Sequence, residues 1–314
     1  MEQCSDEEER DALAHQLAAL FTRVSLSRAP HNGLCAFAGG ALPHTILSCC
    51  QGTLLGMFST QSVLPLRSTC RDAVAAVAAH PWEDTATLLA GSVALWRRCF
   101  PSARCANAKM WVTFSRERVR CHSLALSDAD VQHFAGLQAL NMSKARRVTA
   151  LAPLSGIHTL DLTSCEGLTD DALAPLAGVK RLSLWWCVQL TDACLKHLGG
   201  IETLNISRCH LITGAGFARL RGLRHLLLRA CSAVPMDALA HLEGIHTLVL
   251  EGCKQEFSAE ALAPLAGVQR LCMSKCKPSA IAAAQALGLP VTLTPISVPG
   301  AFFIEFDDGT SWQM

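Results

Sequence analysis

The sequence predicts an α/β solenoid, with short parallel strands on one side, convex helices on the other, and an all-helical module in front. Three observations lead there. First, one string of apolar residues recurs, starting at Leu137, Ile157, Val179, Ile201, Leu223, Ile245 and Val268, at spacings of 20, 22, 22, 22, 22 and 23 residues. Second, 50% of the 314 residues are apolar, enough to fill a continuous core along such a stack. Third, the first hundred or so residues lack the repeat and carry helical apolar periodicity instead.

The unit 157–178 shows what each position does. Ile157, Leu160 and Leu162 fall on one face of a short strand, with Thr159, Asp161 and Thr163 on the other. Cys165 turns the chain away from the strand. In Gly167-Leu168-Thr169-Asp170, Leu168 anchors the core and Thr169 or Asp170 can cap the helix that follows. Leu173 and Leu176, three apart, face inward from that helix, and Ala177-Gly178 ends it.

The cysteines advance with the repeat: Cys165, Cys187, Cys209, Cys231, Cys253 and Cys276. Equivalent positions in stacked coils lie one strand spacing apart, about 4.8 Å, so these thiols form a buried structural ladder. A straight column does not converge four ligands on a point, which argues against a metal site. Serial disulfides do not suit a reducing compartment.

The combination of strand leucines, turn cysteine, Leu-Thr-Asp segment and closing glycine resembles the cysteine-containing leucine-rich repeats of F-box leucine-rich-repeat proteins. The resemblance spans about residues 121–294 and implies a leucine-rich-repeat horseshoe. The unit 137–156 departs from it, carrying Ala145 in place of the cysteine, and 121–136 reads as a truncated first coil. At the far end, Phe302-Phe303-Ile304-Glu305-Phe306 with Asp307-Asp308-Gly309 reads as a closing strand and turn.

In such a solenoid the residues between the buried strand leucines point into the concave side. In the third to fifth coils this side gathers Arg181, Trp185, Trp186, Arg208, His225 and Arg229. Arg and Trp dominate interface hot spots, so these six form the candidate partner-binding face for a target protein. The plainer alternative packs Trp185 against a neighbouring flank and leaves the arginines solvated.

Ahead of the repeats, residues 5–24 read as a helix with Leu13, Leu17, Leu20, Phe21 and Val24 along one stripe. The later order, Leu42-Pro43-His44-Thr45-Ile46-Leu47, then Leu64-Pro65-Leu66-Arg67 with Cys70-Arg71, then His80-Pro81-Trp82, resembles an F-box. What that resemblance implies is docking on a Skp-type adaptor of a cullin ubiquitin ligase, through Leu42, Pro43, Ile46, Leu47, Leu64 and Leu66. The alternative is a helical cap for the solenoid with no ubiquitin role. The expected divisions are 1–40 (helix and connection), 41–110 (F-box-like module), 111–294 (seven to eight coils) and 295–314 (C-terminal cap).

Composition narrows the function classes. Lys plus Arg number 27 against 26 Asp plus Glu, so no global field recruits nucleic acid or an anionic membrane. The acidic start, Glu2 to Glu9, does not read as a secretory signal, and the sixteen cysteines include no CxxC pair. A cytoplasmic or nuclear location is expected. Residues 32–66 carry no Asp, Glu, Lys or Arg, but Gly39-Gly40, Pro43 and Pro65 interrupt them, so buried helices are expected rather than a span. No phosphate loop, HExxH or GxSxG string occurs, and neither catalytic residues, a metal nor a cofactor is expected.

Overall fold

The protein is described here by a computed structural model covering residues 71–80, 93–108, 111–115, 118–122 and 126–294. The chain divides into two compact units, 1–106 and 107–314. The expected helix at 5–24, the adaptor-binding positions Leu42, Pro43, Ile46, Leu47, Leu64 and Leu66, the uncharged stretch 32–66 and the cap at 295–314 lie outside the described residues. In the first unit, α1 (Arg71–Ala79) buries Ala76 and Val77. In α2 (Val93–Cys99) the Trp96 ring lies 6.2 Å from that of Phe100. No helix among the described residues is long and apolar enough to cross a membrane.

A nine-stranded sheet orders the strands with the chain: β1 (Cys105–Asn107), β4 (Ala139–Asn141), β5 (Thr159–Asp161), β6 (Arg181–Ser183), β7 (Thr203–Asn205), β8 (His225–Leu227), β9 (Thr247–Val249), β10 (Arg270–Cys272) and β11 (Val291–Thr292). Every pair from β4 to β11 is parallel. Between β1 and β4 in the chain, β2 (Trp111–Ser115) and β3 (Arg118–His122) form an antiparallel hairpin whose register pairs Phe114 with Val119. Sequential parallel pairing of three-residue strands about 22 residues apart is the architecture of a leucine-rich-repeat solenoid.

The register explains the core. Leu140, Leu160, Leu182, Leu204, Leu226, Leu248 and Leu271 are partnered in one row, each 3% exposed or less. Burying one leucine contributes about 1.5–3 kcal/mol, so the row alone is a large part of the driving force. Strand alternation sends the residues on either side of each leucine to the opposite face.

The convex returns are helical chiefly as 3-10 turns, for instance Asp170–Leu176 and Asp192–His197. Pro175 has no N–H to give an α-helix, and three residues per turn set Leu173 and Leu176 on the same side. Both are buried. The Leu-Thr-Asp segment does more than cap its own helix, as Thr191 does by accepting Ala193 N–H at 3.2 Å. Thr169 makes no side-chain cap bond, whereas Asp170 accepts the N–H and hydroxyl of Thr191 in the next coil at 2.8 and 2.6 Å. The same clamp joins Asp128 to Thr149 and Asp192 to Thr213.

Candidate protein-binding face

The side of the sheet away from the leucine row carries three rows of side chains, and the turn after each strand adds a fourth. The turn row is fixed by the backbone. Lys144, Ser164, Trp186, Arg208, Ala230 and Lys275 all have φ between +52° and +66°, and Gly252 has +67°. This left-handed geometry lets each N–H continue the inter-coil hydrogen bonding: Ser164 to Trp185 O at 2.7 Å, Trp186 to Ser207 O at 3.0 Å, Arg208 to Arg229 O at 2.9 Å. A side chain placed there projects from the rim, which is how Trp186 and Arg208 come to the surface.

The next residue of each coil is the cysteine, or Ala145 in the first. Each thiol donates to a carbonyl of the preceding coil: Cys165 to Met142, Cys187 to Leu162, Cys209 to Leu184, Cys231 to Ile206, Cys253 to Leu228 and Cys276 to Leu250, at 2.7–3.4 Å. All six are buried. Burial pushes the thiol pKa of Cys231 up to about 11 and those of Cys165 and Cys253 to about 12, and raises Cys187, Cys209 and Cys276 as well. These sulfurs are protonated donors bracing coil against coil, and the thiolate needed for nucleophilic or metal chemistry is suppressed. Among the described residues no group of three or more His, Cys, Asp or Glu could hold a metal ion.

Most strand-face side chains that sequence alternation places toward a partner are buried. Asn141, Asp161, Ser183 and Asn205 in the middle row are 1–8% exposed, and Leu227, Val249 and Cys272 are fully buried. Short strands 4.8 Å apart leave small side chains shielded by their neighbours. Their polar atoms are satisfied locally: Asn141, Asp161 and Asn205 each accept, through Oδ1, the N–H two residues on. What remains accessible is a stripe of larger side chains on the outer rows.

Arg181 is exposed at the start of β6, and just beyond the strand Trp185 and Trp186 are 40% and 41% exposed. The Arg208 guanidinium lies over the Trp186 ring, 4.9 Å from its centroid, in cation–π contact. His225 is half-buried, edge-on to His246 at 5.3 Å, and its Nδ1 is buried with no hydrogen-bond partner among the described residues. Burial first, then the positive charge of His246, Arg224, Arg270 and Arg181, holds its pKa below the ordinary imidazole range. Arg229 is the member whose chemistry differs from the expected solvated charge or ligand fork. Its Nε lies 3.3 Å from Glu251 Oε2, and Lys275 Nζ lies 3.0 Å from Glu251 Oε1, so it works within a three-residue ion cluster.

Sequence reasoning passed over Arg270, half-buried at the start of β10 in the row of Arg181 and His225, and the rim lysines Lys144 and Lys275. Their signal was present, since they occupy the same repeat positions as the residues that were singled out. Over the four rows, Lys144, Arg181, Arg208, Arg229, Arg270 and Lys275 stand against Asp161 and Glu251. That is six cations less two carboxylates, a surplus of four on one face of a chain whose formal net charge is +1.

Among solved structures, the chain is similar to internalin C2 from Listeria monocytogenes at 23% identity, over 56% of this chain and 80% of that one, with a TM-score of 0.44. It is similar to the Rad7 and Elc1 complex of yeast at 14% identity, over 95% and 92% of the two chains, with a TM-score of 0.43. A third similarity is to TLR13 in complex with ssRNA13, at 15% identity over 70% of this chain and 27% of that one, with a TM-score of 0.43. No family model matches the sequence, and no curated protein matches it.

Proposed function

We propose that the chain is a protein-binding receptor that selects a target with the strand face of its repeats, and that its N-terminal module recruits a Skp-type adaptor and cullin ubiquitin ligase. The observation that carries the first half is the exposed pair Trp185 and Trp186 beside Arg181 and Arg208. Two adjacent indoles at 40% and 41% exposure are a large apolar outlay for a surface that meets only water. Rigid aromatic side chains framed by arginine are the usual anchors of an interface.

The second half rests on the sequence order Leu42-Pro43, Ile46-Leu47, Leu64, Leu66 ahead of cysteine-type repeats. The combined mechanism is proximity. A rigid solenoid holds its target near a transferase it does not contain, raising the local concentration of the target there.

Affinity capture with three versions of the chain tests both halves. The parent is expected to bring down the adaptor and a target. Trp185→Ala with Trp186→Ala should lose the target and keep the adaptor, and Leu42→Ala with Pro43→Ala should do the reverse. Capture of a target without any adaptor would leave a leucine-rich-repeat scaffold whose N-terminal helices only cap the stack. Target capture indifferent to the tryptophan pair would remove the strand face from the account.

A further inference from the structure

The first strand row sets a nitrogen side chain at every second coil, with the guanidinium groups of Arg181 and Arg270 on either side of the neutral imidazole of His225. Arg181 on β6 pairs with Thr203 on β7, Thr203 with His225 on β8, His225 with Thr247 on β9, and Thr247 with Arg270 on β10. Thr203 and Thr247 are buried, so the row offers a partner Arg181, His225 and Arg270 alone. Strands about 4.8 Å apart put successive members of this set about 9.6 Å apart along the solenoid axis.

That distance selects a ligand backbone. A chain in β conformation returns to the same side every two residues, about 6.6–6.8 Å. A polyproline II helix has three residues per turn and a rise of about 3.1 Å, so it presents the same side every ~9.3 Å. Polyproline segments also dock on exposed aromatic rings, and Trp185 and Trp186 stand beside the row on the coil of Arg181.

The sign of the ligand follows from the charges. The face holds a surplus of four cations, and its Glu251 is already held by Arg229 and Lys275. Resting on the reading of this face as the protein-binding surface, we infer that it takes an acidic segment of the partner in polyproline II conformation, with a carboxylate at every third residue, the outer ones set on the guanidinium groups of Arg181 and Arg270 and the segment between them passing over the neutral His225. Carboxylates set on guanidinium groups form the strong, charge-assisted class of hydrogen bond.

The test is fluorescence anisotropy of the full chain with a labelled peptide of Glu-Pro-Pro triplets about fifteen residues long. Saturable binding is expected, weakened about tenfold or more when Gln replaces Glu in the probe, and by a similar factor in Arg181→Glu with Arg270→Glu. Arg219→Glu, a charge reversal on the exposed convex side, should leave binding unchanged and controls for diffuse attraction. Circular dichroism verifies that the variants are folded. No saturable binding, equal binding of the Gln probe, or equal loss in Arg219→Glu overturns the inference. A target still captured through Trp185 and Trp186 in that event would leave the protein-binding reading standing without its acidic ligand.

Discussion

Asp192 in one coil and Thr213 in the next are locked together. The Thr213 N–H and hydroxyl donate to Asp192 Oδ2 at 2.8 and 2.7 Å, while Oδ1 accepts Gly214 N–H at 2.8 Å and Gly216 N–H at 3.2 Å. Burial opposes ionisation of this carboxyl, but the hydrogen bonds from Thr213, Gly216 and Gly214 outweigh it and keep the pKa below the usual carboxylate range. The clamp adds a charge-assisted link between two coils that also meet through strand pairing, apolar packing and the thiol of Cys209 on Leu184 O.

Asp192→Ala is therefore expected to destabilise the chain by about 1–2 kcal/mol, the charge-assisted range discounted for the carboxylate's partial exposure. Because the folded pKa is depressed, this stabilisation is present above the ordinary carboxylate value and fades as pH falls through the folded one. Urea titrations at neutral and acid pH should show the parent and the variant converging in acid. A gap of constant size would contradict the clamp.

The left-handed rim gives a second expectation. Gly252 has φ +67° with nothing within 4 Å of where a Cβ would stand, so Gly252→Ala isolates backbone strain and should cost about 1–2 kcal/mol. Ala230→Gly, at φ +52°, relieves comparable strain against about 0.5–1 kcal/mol of unfolded-chain entropy, for a net stabilisation of about 0.5–1 kcal/mol. Denaturant midpoints for both variants check this, and a silent Gly252→Ala would speak against it.

For the thiols, native alkylation with iodoacetamide followed by mass spectrometry is expected to spare Cys165, Cys209 and Cys253 and, among the described residues, to label the half-buried Cys99 and Cys105 ahead of them. With a pKa of about 12, Cys165 is thiolate on the order of one part in ten thousand at pH 8. Rapid labelling of Cys165 or Cys209 in the folded protein would contradict the hydrogen-bonded column.

His225 should titrate below the ordinary imidazole value in an NMR experiment, and Arg270→Gln should move it up, since Arg270 is among the charges that depress it. Its neutral form is favoured by folding, so its contribution to stability is complete above the unfolded pKa near 6.5 and is lost as pH falls through the folded value. A His225 resonance that titrates at 6.5 or above would show that the cationic row does not converge there.

The repeat was legible because it is imposed by period. Leucines and cysteines recur at fixed offsets, and equal offsets in a parallel stack mean one column. Trp185 and Trp186 were legible as candidates for the same reason. Less legible was the burial of Asn141, Asp161 and Leu227, which alternation assigns to the outer face but which the packing of short neighbouring strands encloses. The pairing of Arg229 with Glu251, 22 residues on, depends on side-chain reach that spacing does not specify. The role of Asp170 and Asp192 did have a signal, the Thr-Asp pair recurring after 22 residues, but a local capping rule explained it too readily. At the rim, nothing in the variable residues Lys144, Ser164, Trp186 and Arg208 announces a left-handed backbone, because tertiary stacking sets it.

The most direct measurement is hydroxyl-radical footprinting of the chain alone and in its affinity-captured complex. Oxidation of Trp185 and Trp186 is predicted to fall several-fold on complex formation, with convex-side residues such as His241 unchanged. Unchanged oxidation of both tryptophans, with protection appearing instead around His241, would contradict the strand face as the binding surface.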